Sequence, residues 1–207
     1  MKLWTTTKMD AGSSGYSGFL EPDDVSIECI KITVALLHQF RPKTLIQHKD
    51  TPLQLCCAGL KVRFGVSAKF PGNAGRPKLN IVVDIPENLS QVLEFCDDLA
   101  QRSSPESGGT SEWRPLIKKY GNMNRPTVRL NIPTVASGDI AIYSTDMYKK
   151  ERDGTIQKLV FSKVDAVELD SMLRGNMVDA FFSLQIYDYQ QNAGIRLVAN
   201  MLVIHSK

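Results

Sequence analysis

The chain reads as a mainly β protein built on a small closed barrel, with one good helix in mid-chain. Three observations predict this. Segments rich in β-branched and aromatic residues alternate apolar and polar side chains. One apolar stripe at helical spacing lies between them. Two long apolar runs, 177–189 and 195–204, then follow one another at the C-terminal end. A parallel sheet would need several crossover helices, so strands before and after a single helix fit a barrel better. With 207 residues, the chain can bury one real core.

Residues 1–26 are rich in Gly, Ser and Thr and read as a flexible arm. Its Trp4, Tyr16, Phe19 and Leu20 are the side chains able to dock on the body or on a neighbouring subunit. A single domain is expected over 27–207. Within it, 25–37 alternates as a strand through its first half, 44–47 is a short strand, and Lys49-Asp50-Thr51-Pro52 is a turn. In 53–70, Val62, Phe64, Val66 and Ala68 fall on one side and Lys61, Arg63, Ser67 and Lys69 on the other, the clearest strand with a basic face. A glycine-containing hairpin loop at 71–77 leads to a strand at 78–85.

Pro86-Glu87-Asn88 opens a helix to about Arg102, with Leu89, Val92, Leu93, Phe95, Cys96 and Leu99 as its stripe. Residues 102–110 form a surface loop. In 112–120, Trp113 and Tyr120 flank Arg114, Lys118 and Lys119. The strand at 127–133 turns Val128, Leu130 and Ile132 inward and Arg129 outward. Residues 140–148 and 157–163 read as a hairpin around a charged loop, and 164–173 as a short helix or turn. The closing block places Phe181, Ser183, Gln185, Tyr187 and Tyr189 on one strand face and Phe182, Leu184 and Ile186 on the other, with turn material at 190–194. Gly175 and Gly194 mark the turns, Tyr189 is expected to pack, and Tyr187 to face a ligand.

Charge and cysteine usage narrow the class. A net charge of +3 is too small to imply nucleic acid by itself. Its distribution is uneven: 1–30 and 84–106 are acidic, whereas 41–69 and 114–163 are basic. Cys29, Cys56, Cys57 and Cys96 show neither a disulfide framework nor zinc spacing, which implies small buried hydrophobes and a reducing compartment. With polar residues at 5–10 no signal peptide is expected, and no apolar run reaches transmembrane length. The expectation is an intracellular protein (host cytoplasm, nucleus or viral replication compartment) or one carried in a virion, with no membrane partner.

No enzyme signal survives. His38, His48 and His205 stand apart without acidic or cysteine partners at ligand spacing. Asp97-Asp98 fits a solvated helix end, and Gly72-x-x-Gly75 and Ser107-Gly108-Gly109 lack the strand-to-helix context of a phosphate loop. No catalytic residue, metal or cofactor is expected. Binding has more support, because single strands need cations for phosphates and flat rings for bases. Two readings of the basic faces stay open on composition: a binding surface, or strands kept soluble by Lys and Arg.

A resemblance weighs between them. The block TLIQHKDTPLQLCCAGLKVRFGVSAKFPGNAGRPKLNIVVD, the helix at 87–99, the Trp-x-Pro-Leu-Ile segment at 113–117 and the closing RGNMVDAFFSLQIYDYQQNAGIRLVANMLVI are similar, in that order, to the OB-fold single-stranded-DNA-binding proteins of tailed phages and large DNA viruses. The likeness spans about 27–207. It departs where the family often carries an aromatic beside its last glycine, here Ala193, and where many members run into an acidic tail this sequence reads His205-Ser206-Lys207.

The resemblance implies an OB-fold-like five-stranded Greek-key barrel with extensions, and a non-catalytic role in viral replication, recombination or repair. Lys61, Arg63, Lys69 and Arg129 are then candidates to track phosphates, with Arg114, Lys118 and Lys119 beside Trp113. Trp113, Tyr143, Tyr148 and Tyr187 are candidates to stack bases, and Lys149, Lys150 and Arg152 to close over the strand. Expected partners are single-stranded DNA or RNA, replication proteins, and a second copy through the N-terminal arm. The alternative is a structural barrel or sandwich of a virion, whose surfaces serve protein contacts.

Overall fold

The computed structural model describes residues 18–36, 42–69, 77–103, 111–119 and 125–206. After 3-10 turns at Pro22–Asp24 and Ile27–Cys29, strands β1 (Ile30–Leu36), β2 (Pro42–His48) and β3 (Thr51–Pro52) make a small antiparallel sheet. Then follow β4 (Gln54–Lys69), β5 (Lys78–Asp84), α1 (Glu87–Ser103), β6 (Glu112–Arg114) and β7 (Thr127–Ile132). The chain continues through β8 (Thr134–Ser137), β9 (Ile140–Tyr143), β10 (Asp146–Lys150), β11 (Ile156–Lys158), α2 (Ala166–Leu173), β12 (Met177–Tyr189) and β13 (Asn192–His205).

Five strands close a ring in the order β4, β5, β7, β13, β12 and back to β4. Every junction is antiparallel except β7 with β13, where Leu130 and Asn131 pair in parallel with Leu197 and Val198. This is the OB-fold-like barrel, with β6, β10 and β11 as extensions of its sheet. β13 is the hub: one edge lies on β12, and the other is shared in turn by β6, β7 and β10.

Period-two alternation explains the core. On β7 the buried Val128, Leu130 and Ile132 point in, and on β12 Val178, Ala180, Phe182 and Leu184 do. They meet Leu55, Leu60, Val62, Ile81, Leu197 and Leu202 in one cluster. Helix α1 closes it with Leu89, Val92, Leu93, Cys96 and Ala100, and burial pushes the Cys96 thiol up to about 12, as suits a packing residue. In α2, Asp165 caps the first turn by accepting from the N–H groups of Val167 and Glu168, and Leu169 and Leu173 are buried.

Several local expectations change. The alternation of β4 breaks at Phe64, which is 46% exposed, because register shifts on both sides of it rotate the strand. The single strand expected at 140–148 splits at Ser144 and Thr145 into β9, which pairs with β8, and β10, which pairs with β11. The hairpin after β12 turns on Gln190 and Gln191 alone, both with positive φ (51° and 62°), and Tyr189 already pairs with Asn192. Gly175 does sit in the turn after α2, at φ 71°, but Gly194 lies inside β13. From the expected arm, Phe19 and Leu20 dock on the barrel: Phe19 meets Phe181 edge-on at 5.5 Å, and Leu20 bridges to Leu55. Trp4 and Tyr16 lie outside the described residues.

Candidate nucleic-acid interface

The alternation that sends Val128, Leu130 and Leu197 inward sends Arg129, Asn131, Arg196 and Val198 outward. The parallel register of β7 with β13 then sets Arg129 beside Arg196, one step before the Leu130–Leu197 pair. Across the other edge of β13, Gln185 faces Arg196 and Tyr187 faces Gly194. β6 pairs with the start of β13 and delivers Arg114 to the same end of the sheet. These elements enclose a groove of about 780 Å³. Arg114, Pro115, Leu116 and Lys118 line one wall and Tyr187, Tyr189, Gln190 and Asn192 another, with Arg129, Asn131 and Arg196 between them.

Gly194 makes the tyrosine wall possible. A methyl there would stand 2.8 Å from the Arg114 carbonyl oxygen and 3.2 Å from the Tyr187 hydroxyl. The glycine therefore admits both β6 and the ring, whose centroid lies 5.5 Å from the Arg196 guanidinium, a cation–π distance. The opposite wall is pinned from α1. Asp97 accepts from Trp113 Nε1 and from the Leu116 backbone N–H, both at 3.2 Å. Burial, opposed by those two bonds, holds its carboxyl above the usual value.

The cations of the molecule divide by partner. Arg63 is paired with Asp84, side chains 20% and 9% exposed; hydrogen bonding to that carboxylate holds its pKa up. Lys119 pairs with Glu94 and Lys149 with Glu151, at 3.2 and 2.7 Å. Arg114 bonds Glu112 at 3.0 Å and donates from Nε to Asn192 Oδ1 at 2.6 Å, which fixes it at the rim. Among the described residues no carboxylate pairs with Lys118, Arg129 or Arg196. Two like charges on neighbouring strands oppose folding, so the Arg129–Arg196 pair suits an anion bound between them.

The candidates from sequence thus separate. Arg114, Lys118, Arg129 and Tyr187 come together in the groove. Lys61 and Lys69 are exposed elsewhere on β4, and Lys150 and the exposed Arg152 sit at the β10–β11 hairpin. Trp113 is a wall support, half-buried against the core. Two expected stacking rings are packing residues. Tyr148 is 6% exposed, against Met201 and Val203, because the β10–β13 pairing covers it. Tyr143 packs edge-on to Phe161 at 5.0 Å, and its hydroxyl donates to the Asp165 carbonyl. Tyr189, expected to pack, is 67% exposed and lines the groove, since the tight turn carries it beyond the core. Arg196 was missed, although a lone arginine in the apolar run IRLVANMLVI was its signal.

Among the described residues, no three His, Cys, Asp or Glu side chains gather as a metal site. No described helix is long and apolar enough to cross a membrane.

No family model matches the chain. Among curated proteins it is similar to Protein NEN1 of Arabidopsis thaliana, 48% identical over 201 residues, covering 94% of this chain and 42% of that one. Protein NEN2 of the same plant is 45% identical over 205 residues, with coverage of 96% and 42%. The chain spans less than half the length of these relatives. Among solved structures it is similar to the single-stranded DNA-binding protein from bacteriophage Enc34 in complex with ssDNA, at TM-score 0.48 and 10% identity, covering 86% of this chain and 96% of that one. It is also similar to gp2.5, a single-stranded DNA-binding protein encoded by bacteriophage T7, at TM-score 0.46 and 11% identity, with coverage of 74% and 86%.

Proposed function

We propose that this chain is a non-catalytic module that binds single-stranded nucleic acid, DNA first, in the groove between β6, β7, β12 and β13. One observation carries the reading: Arg129 and Arg196 lie side by side on β7 and β13, with no acidic partner among the described residues, next to the wall that carries Tyr187 and Tyr189. Cations placed to meet phosphates next to rings placed to meet bases are what a single strand requires. In this reading Lys118, Arg129 and Arg196 hold phosphates, while Tyr187 and Tyr189 stack bases.

A role in replication, recombination or repair, with replication proteins as further partners, belongs to the same reading. The plant relatives give no support to the viral setting expected from sequence. Free Cys29, Cys56, Cys57 and Cys96 support a reducing, intracellular location. Self-association through the arm rests on Trp4 and Tyr16, since Phe19 is seated on Phe181.

Fluorescence titration with oligo-dT at several salt concentrations tests the reading. Three phosphate-holding cations predict a log–log salt slope of about −2. No binding at low salt, or affinity indifferent to salt, overturns it. An oligo-U competitor in the same titration decides between DNA and RNA.

A further inference from the structure

The outward face that carries the groove continues past Arg129 and Arg196 into a second depression of about 560 Å³. The two are adjoining, because Gln185 of the second is the register partner of Arg196 of the first. Their chemistry differs. The second is lined by Gln54, Ser183, Gln185 and Asn200, with the half-buried ring of Phe19 among them. Among the described residues no lysine or arginine lines it. Its charged lining residue is Asp146, ion-paired with Lys158 at 2.8 Å.

We propose that a single strand held in the groove runs on into this depression, where it turns its bases inward and its phosphates to water. The proposal rests on the nucleic-acid reading of the groove and extends it. Among the described residues no lining cation meets a phosphate here, and the charge of Asp146 is already balanced by Lys158. The amides of Gln54, Gln185 and Asn200 each offer a donor and an acceptor, the pairing that base edges present. Ser183 adds a hydroxyl, and Phe19 adds a ring at the N-terminal side of the site. On β12 the track from Tyr187 to Phe181, which supports Phe19, is six residues, about 20 Å at the rise of a strand. The groove thus supplies most of the salt-dependent affinity, and the depression supplies contacts that sense the bases.

Anisotropy titrations of the full chain test this with oligo-dT of about four and about twelve nucleotides, both within the range of OB-fold sites. Wild type should bind the long oligomer more tightly than its extra binding registers explain. Gln185→Ala combined with Asn200→Ala should weaken the long oligomer about tenfold, as for two neutral hydrogen bonds, and leave the short one and the salt slope unchanged. Abasic sites placed in one terminal half of the long oligomer, tried at each end, should reproduce that loss on wild type without any substitution. The proposal is overturned if abasic and intact oligomers bind equally, if length has no effect, or if the double variant flattens the salt slope. Absence of binding by every oligomer at low salt overturns the groove reading itself, a separate result.

Discussion

The β4 face and the β7–β13 face look alike in sequence, each with cations set among apolar strand residues, yet the fold treats them in opposite ways. On β4, Arg63 is folded onto Asp84 of the neighbouring strand and Phe64 is turned out by register shifts. Lys61 and Lys69 are left at separate points on the surface. On β7 and β13, single arginines from strands far apart in sequence are set side by side, and among the described residues no carboxylate pairs with either. A basic strand suits anion binding when topology gathers its charges and withholds their partners.

Charge reversal should break this comparison most sharply. Arg129→Glu with Arg196→Glu is predicted to weaken oligo-dT binding by about a hundredfold or more, since it replaces attraction with repulsion at two phosphates. Chemical denaturation should place the variant within about 0.5 kcal/mol of wild type, because both side chains are exposed. A large loss of stability instead would make these arginines structural.

The tyrosines sharpen it next. Tyr187→Ala should cost about 1–3 kcal/mol of binding, the range for one stacked base. Tyr148→Ala should instead lower stability by about 2–4 kcal/mol, because its ring is buried. Equal binding losses from both, measured at full folding, would contradict the assignment of roles. Gly194→Ala should destabilise by about 1–3 kcal/mol through the close approach to the Arg114 carbonyl, and should weaken binding by displacing the Tyr187 ring.

Smaller effects concern the supports. Arg63→Met should lower the melting temperature by leaving Asp84 unpaired at 9% exposure, while shifting oligomer affinity by no more than about twofold. The Asp97 prediction is one of pH. Burial raises its folded pKa above 3.8, so the native state holds the proton more tightly than the unfolded chain. The resulting stabilisation is complete below 3.8 and is lost as pH rises through the raised value. Asp97→Asn removes that titration, so stability of the variant relative to wild type should improve with rising pH across this interval. Parallel pH profiles would show that Asp97 does not titrate there.

Much of the barrel was legible in the sequence, because one-sided burial imposes period two on β7 and β12 and period 3.6 on α1. Turn placement was not: Gly194 resembles a turn residue, and only the approach of β6 and the Tyr187 ring explains it. Ring roles were the least legible. Tyr148 and Tyr189 exchange their expected environments because burial depends on which strand lies alongside, a long-range fact absent from local pattern. Arg63 and Arg129 likewise have the same signature, and only Asp84 across the ladder separates them.

The parallel seam between β7 and β13 has a consequence for how the molecule comes into being. During synthesis β7 is made before β13, so the ring cannot close at this seam until the β12–β13 hairpin has been made and pairs with β7. Such distant pairings form slowly. Arg129 and Arg196 therefore become neighbours only once β13 has paired with β7, so a chain lacking that seam has no groove to offer. Capture of a single strand would then certify that assembly is complete, and a ligand that grips both strands of the seam would oppose its reopening.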